Sequence, residues 1–161
     1  LNYGHWRLST QFNYRVDYDV FNLARLNVER MDNTNNQSEA VNYRWRKEGD
    51  GGLGSYIPRA LSGYYTANYN ALVSDRFIED GSYLRLQNVS LSYTFPKRML
   101  SKTPIDNLKL YCNIQNLFTI SNYDGYDPEV GCYYGNSLLN GVDFGRYPSP
   151  RVYTVGLNVT F

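Results

Sequence analysis

The chain has 161 residues, enough for one domain, and sixteen basic side chains nearly cancel fifteen acidic ones to leave a formal net charge of +1. That balance gives no electrostatic case for a nucleic-acid partner. A single histidine, His5, and two cysteines, Cys112 and Cys132, make neither a disulfide framework nor a well-supported zinc site, although one Cys112–Cys132 bridge stays open.

Aromatic content is the outlier: seventeen Tyr, seven Phe and two Trp make up 16% of the chain. Tyrosine suits places where one end of a side chain is dry and the other wet, such as membrane interfaces, sugar-binding surfaces and sheets. No apolar run approaches the ~18–20 residues of a spanning helix, which leaves spanning strands, ~9–11 residues long and half polar, as a possibility. The chain begins at Leu1 without a signal-peptide pattern, so it is expected to be a processed chain or a piece of a longer one.

In chain order, a first strand is predicted over about 5–20. Trp6, Leu8, Thr10, Phe12, Tyr14, Val16 and Tyr18 fall on one face, and Arg7, Ser9, Gln11, Asn13, Arg15 and Asp17 on the other. Charges along the polar face suit water or a wet lumen, not the inside of a sandwich. Residues 21–78 are then predicted as a long loop, in which Leu23, Leu26 and Met31 hint at a helical turn and 49–54 form a glycine cluster. A second strand is predicted over about 80–95. Leu84 and Leu86 are apolar on even positions, while Val89, Leu91, Tyr93 and Phe95 are apolar on odd ones. One extra residue near Gln87 and Asn88, a β-bulge, would return both sets to one face.

After a short connection, a third strand is predicted over about 106–120, with Leu108, Leu110, Cys112, Ile114 and Phe118 on one face and Asn116 as the exception. A second long loop, 121–149, is rich in Gly and Pro. The last strand is predicted over 150–161, with Tyr153, Val155, Leu157, Val159 and Phe161 alternating with Thr154, Gly156, Asn158 and Thr160. The long, short, long alternation of connections is that of an outer-membrane barrel, whose long loops are extracellular and whose turns are periplasmic. Trp6, Tyr93, Phe95 and Phe161 would then form one aromatic girdle, and Tyr18, Phe118 and Tyr153 the other. A soluble, Tyr-rich β-domain that binds glycans at a cell surface explains the alternation equally well, and the paired aromatic bands less well. Four strands cannot close a membrane barrel, so in the barrel case further strands are required.

Several linked motifs across 77–161 go further. Residues 77–96 read FIEDGSYLRLQNVSLSYTFP, residues 111–120 YCNIQNLFTI, residues 123–130 YDGYDPEV, residues 141–151 GVDFGRYPSPR and residues 156–161 GLNVTF. In order and spacing this run resembles the C-terminal part of SusC/RagA-type TonB-dependent outer-membrane transporters. The resemblance implies an all-β fold: a transmembrane antiparallel segment supplying the last four strands of a 22-stranded barrel, with two long extracellular loops and a periplasmic C-terminus. It also implies an importer of glycans, oligosaccharides or peptides across the outer membrane of a Gram-negative bacterium of the Bacteroidota. Its partners would be a SusD-type lipoprotein lid, outer-membrane lipid, the rest of the barrel, and TonB. The family's plug domain and TonB-contacting segment are absent from these residues. The terminal aromatic strand, ending at Phe161, would be the one read by the barrel-assembly machinery.

Candidate sites follow from residue type. Asp124, Asp127 and Glu129 could gather a calcium ion, but Ca²⁺ takes six to eight oxygens, and Asp beside Gly and Pro more readily makes an Asx turn. Trp45, Tyr56, Tyr64, Tyr65, Tyr133 and Tyr134 could stack on sugars or dock a lid, or simply pack the loops that carry them. Arg7, Arg15, Arg85 and Lys109 are candidates for a wall facing the lumen. Nothing places two carboxylates across a cleft, so no enzyme and no cofactor is expected.

Overall fold

The computed structural model describes residues 1–31, 36–50, 57–60, 72–132 and 135–161. Most of its regular structure is strand, which makes the class all-β, and the chain divides into two compact units. One comprises residues 1–16, 82–122 and 148–161, and the other residues 17–81 and 123–147.

The first unit is a five-stranded antiparallel sheet. Its strands are β1 (Asn2–Tyr3), β2 (Trp6–Arg15), β5 (Tyr83–Thr94), β6 (Asn107–Ser121) and β8 (Val152–Thr160), in the order β1-β2-β5-β6-β8. The short β1 escapes the alternation pattern because two residues carry no period. It pairs Asn2 with Arg7 and Tyr3 with Trp6, leaving Gly4-His5 as a two-residue turn in which Gly4 has φ +57°. Such primed turns need a residue that tolerates positive φ, and glycine does so without a Cβ clash.

A bulge holds the sheet in phase. Gln11 pairs with Asn88 and Phe12 with Leu86, so Gln87 is the extra residue. On the other side Leu86 pairs with Phe118 and Asn88 with Gln115, and Asn116 takes φ +53°. Asn116 is where β6 loses its apolar alternation. Its side-chain amide donates to the Pro150 carbonyl at 3.0 Å, where pairing with β8 has ended. With both shifts made, the apolar residues of four strands line up in rows: Trp6, Tyr93, Leu110 and Leu157; Leu8, Leu91, Cys112 and Val155; Thr10, Val89, Ile114 and Tyr153. The polar face carries Arg7, Ser92, Tyr111 and Gly156 in one row and Ser9, Ser90, Asn113 and Thr154 in the next. The Tyr111 ring lies over Gly156, where any Cβ would collide with it.

This sheet is inside-out by the standard of a water-soluble protein. Its apolar face is largely open: Val155 is 72% exposed, Leu157 62% and Phe12 54%. On the polar face Arg85, Ser92 and Tyr83 of the central strand are buried, while Arg7, Arg15, Thr154 and Asn158 on the flanking strands are exposed. A soluble glycan-binding sheet would cover the first face and wet the second, because exposed apolar area costs about 25 cal/mol per Å² in water.

Charge is divided the same way. The sheet unit holds eight basic residues (Arg7, Arg15, Arg85, Lys97, Arg98, Lys102, Lys109 and Arg151) and one acid, Asp106. The other fourteen acids lie in the second unit with the remaining eight bases. The net +1 of the whole chain thus joins a unit of +7 to one of −6.

Three sequence expectations need correction. The strand predicted over 5–20 stops at Arg15. Asp17 has φ +53°, a left-handed conformation that no strand continues through, and β3 (Asp19–Asn22) belongs to a different sheet. Tyr18 therefore joins no aromatic girdle. It packs against Val20, Tyr123 and Val130 in the second unit and donates to the Val130 carbonyl at 2.9 Å. The strand predicted from 80 begins at Tyr83, since β4 (Ile78–Asp80) pairs with β3 instead. Finally, most of the described residues in the two predicted long loops belong to a unit with its own core and regular structure.

That second unit is built on a small sheet, β4-β3-β7, in which β7 (Val142–Asp143) runs parallel to β3. Val20 is fully buried at its centre. Phe77 is buried too, edge-on to Phe21 with ring centroids 6.3 Å apart. Helix α1 (Leu23–Glu29) follows β3 directly, capped by the Asn22 side chain, which accepts from the Arg25 N–H at 2.8 Å. A satellite cluster of Met31, Val41 and Ile57 packs separately.

Candidate functional site

Two surfaces stand out, one in each unit. The first is the polar face of the sheet. Arg7 sits opposite Ser92, Arg15 opposite Tyr83, Lys109 between Thr94 and Asn158, and Arg85 between Asn13 and Thr119. All four sequence candidates share this face because each is in the polar phase of its own strand, and the Gln87 bulge preserves that phase across β5. Arg85 is the most enclosed. Its Nε donates to the Thr119 hydroxyl at 2.9 Å, and its guanidinium lies 5.6 Å from the centre of the Tyr83 ring. No acid occurs on any of the main strands, so this wall is cationic along its length.

The second is an ion-pair clasp in the other unit. Glu29 ends α1 and is almost wholly buried. One of its oxygens accepts from Arg25 Nε at 2.8 Å and the other from Arg76 Nη2 at 2.5 Å. Arg25 also donates through Nη1 to Glu79 at 2.9 Å. Glu79 accepts further from the Asn22 side chain at 3.2 Å and the Asp124 N–H at 3.3 Å. Burial lowers the Arg25 pKa, but bonds to Glu29 and Glu79 outweigh it, so the net shift is upward and the guanidinium stays charged. The clasp joins residues 22–29, 75–79 and 124, stretches far apart in sequence. Beside it opens a cleft of about 410 Å³, lined by Asn22, Arg25, Glu29, Asp124, Tyr126 and Asp143.

Asp143 is buried and saturated. Oδ1 accepts from the Gly145 and Arg146 N–H groups at 2.8 and 2.9 Å, and Oδ2 from the Tyr123 hydroxyl at 2.6 Å. Burial first, then the Asp143 carboxylate, push the Tyr123 pKa far above the ordinary tyrosine value near 10. A group with a raised folded-state pKa contributes stability that is complete below its unfolded pKa and is lost as pH rises beyond it. Ionisation of Tyr123 is therefore expected to cost the unit nothing up to about pH 10 and to weaken it above that. Tyr123→Phe should remove that alkaline decline and cost about 1–3 kcal/mol at neutral pH, because an Asp143 oxygen loses its donor. Denaturant melts at a series of pH values would measure both effects.

The remaining sequence candidates scatter. Asp127 is buried and accepts from the Glu129 N–H at 3.0 Å, the geometry of an Asx turn, while the Glu129 carbonyl accepts from Arg146. Among the described residues no three His, Cys, Asp or Glu side chains group as metal ligands do. Trp45 is partly exposed, and its backbone N–H donates to the Ile57 carbonyl at 3.0 Å. Tyr56, Tyr64, Tyr65, Tyr133 and Tyr134 lie outside the described residues. Cys112 and Cys132 are both free thiols, so the open disulfide is not formed. Sequence reasoning missed Arg25, Glu29, Arg76, Glu79 and Asp143. The only local signal was the i,i+4 spacing of Arg25 and Glu29, worth a few tenths of a kcal/mol and common on any helix.

No family model matches the chain. Relatives do. The whole chain aligns at 31% identity with TonB-dependent receptor P26 of Formosa agariphila, covering 16% of that protein. Over 93 residues it is 40% identical to TonB-dependent receptor P3 of the same organism, covering 55% of this chain and 9% of that one. Over 90 residues it is 34% identical to TonB-dependent receptor SusC of Bacteroides thetaiotaomicron, covering 55% and 8%. In fold it is similar to a chain of the RagAB peptide transporter, with a TM-score of 0.75 and 23% identity across 98% of this chain and 16% of that one.

The chain is a segment of a SusC/RagA-type TonB-dependent receptor.

Such receptors are outer-membrane proteins. The segment spans about one-sixth of the length of the relative it matches from end to end.

Proposed function

We propose that the receptor segment forms part of the C-terminal wall of a 22-stranded outer-membrane barrel, in a TonB-dependent importer of oligosaccharides or peptides. The observation that carries this is the pairing of four alternating strands into one open apolar face and one cationic polar face. In this proposal Tyr153, Val155, Leu157 and Val159 meet lipid, and Phe161 belongs to the strand read during assembly. Arg7, Arg15, Arg85 and Lys109 line the lumen. The connections Gly4-His5 and 95–106 are periplasmic turns, because both leave the same end of the sheet and both are short. The second unit is extracellular, where its cleft and aromatics, Trp45, Tyr56, Tyr64, Tyr65, Tyr133 and Tyr134 among them, would meet substrate or a SusD-type lipoprotein. TonB would engage a part of the receptor outside these residues. Transport of this kind is gated passage and requires no bond chemistry from the segment.

The two free thiols provide the test. Cys112 lies in the apolar row with Leu91 and Val155, whereas Cys132 is exposed in the second unit. On intact cells carrying the full-length receptor, a membrane-impermeant maleimide is expected to label Cys132 and to leave Cys112 unlabelled. Cys132→Ala and Cys112→Ala variants assign the signals. Ready labelling of Cys112 in the membrane would overturn the lipid-facing assignment, and an unreactive Cys132 would overturn the extracellular one.

A further inference from the structure

The short connection after β5 has a chemistry of its own. Helix α2 (Lys97–Leu100) and the residues after it hold Lys97, Arg98 and Lys102, three cations within six residues. All three are exposed, and none is in an ion pair among the described residues. Between them Met99 is 62% exposed, while Leu100 is buried and anchors the turn. The connection starts where an aromatic cluster ends. The Trp6 and Tyr93 rings are 4.7 Å apart, Phe95 stands edge-on to Tyr93 at 5.0 Å, and His5 stands edge-on to it at 6.1 Å. Trp6 and Tyr93 belong to the apolar row that continues through Leu110 and Leu157. An apolar wall, a belt of amphipathic rings and unpaired cations thus follow one another along β5 and out of its end.

We propose that this end of the sheet is a binding surface for anionic phospholipid, with Lys97, Arg98 and Lys102 on the phosphate headgroups and Met99, Tyr93 and Trp6 on the acyl boundary. Charge complementarity selects the ligand: three unneutralised cations beside an apolar face match a headgroup that is negative where its chains begin. Because it rests on the barrel reading and its orientation, the source is the phospholipid of the periplasmic leaflet. A soluble periplasmic protein would have no use for the exposed apolar row that leads into the turn.

The test uses the full-length receptor in liposomes of phosphatidylcholine, doped with spin-labelled phosphatidylglycerol or spin-labelled phosphatidylcholine. The fraction of each probe immobilised on the protein is read by electron spin resonance. The wild type is expected to immobilise phosphatidylglycerol preferentially at low salt. Lys97→Gln should lower that preference by about fivefold, and the variant with Lys97, Arg98 and Lys102 all changed to Gln should abolish it. A Lys97→Arg, Lys102→Arg variant should keep it, which separates charge from folding. Equal immobilisation of the two probes by the wild type, or an unchanged preference in the triple variant, overturns the inference while leaving the barrel intact. Immobilisation of neither probe overturns the barrel reading itself. Labelling of a Ser101→Cys, Cys132→Ala variant on intact cells by an impermeant maleimide would place the surface at the outer leaflet and overturn its assignment to periplasmic phospholipid. Salt-sensitive capture of a periplasmic protein with no phosphatidylglycerol preference also counts against it.

Discussion

Val155→Arg in the full-length receptor is expected to cost about 2–4 kcal/mol of folding stability in a lipid bilayer. Val155 sits on the open apolar face beside Cys112 and is 72% exposed. In water an exposed Val→Arg change would cost almost nothing, since surface substitutions stay within about 0.5 kcal/mol. In hydrocarbon the guanidinium must be desolvated or must drag water and headgroups inward. Two controls isolate the cause. Thr154→Arg places the same charge on the polar face, in the row with Asn113, and should be nearly neutral. Val159→Arg stays on the apolar face but lies at the end of the sheet, opposite Leu108, where the cost should fall to about 0–1 kcal/mol. Urea titrations of the receptor folded into liposomes would yield all three values. A face-dependent and depth-dependent penalty is what lipid contact imposes, whereas equal penalties on both faces would mean ordinary packing.

Glu29→Gln is expected to have the largest effect in the second unit, on the order of 3 kcal/mol, because it leaves two arginines facing a neutral amide. The Glu29 side chain is 3% exposed, against 29% for Arg25 and 19% for Arg76, so solvent cannot take over its role. Most of the cost should come from the stranded cations. Glu29→Gln combined with Arg76→Met should therefore be less destabilised than Glu29→Gln alone, a sign that a double-mutant cycle reads directly. Hydrogen exchange over residues 17–31 and 72–81 is the measurement of choice, since it reports opening of this unit separately from the sheet. If Arg76→Met restored nothing, the arginines would be dispensable and the clasp would not organise these stretches.

How much of this was legible beforehand depends on range. Alternation in 6–15, 83–94, 107–121 and 152–160 reports which face a residue joins, because a strand has period two and neighbours inherit their phase. The Gln87 bulge was readable for the same reason: a phase slip in an otherwise strict pattern leaves few alternatives. By contrast, β1 is too short to show a period, and the end of β2 depends on Asp17 adopting positive φ, which an aspartate permits without announcing. The Arg25–Glu29–Arg76–Glu79 clasp was invisible because its members are brought together by the small β4-β3-β7 sheet, and no local rule pairs residues 25 and 79.

Net charge is the sharpest case. Read along the chain it is +1 and argues for nothing. Divided by the fold it becomes a cationic sheet and an acidic second unit, since strand and connection residues alternate in sequence but separate in space. The sequence by itself determined the strand faces, the phase slip, the aromatic excess and the family resemblance, all of which are properties of near neighbours or of linear motifs. Only the tertiary structure decided that the apolar face is left largely uncovered, that Tyr18 belongs to another core, and that Arg25, Arg76 and Glu79 gather around a buried carboxylate. Those are statements about what covers what, and burial is set by the packing of distant segments.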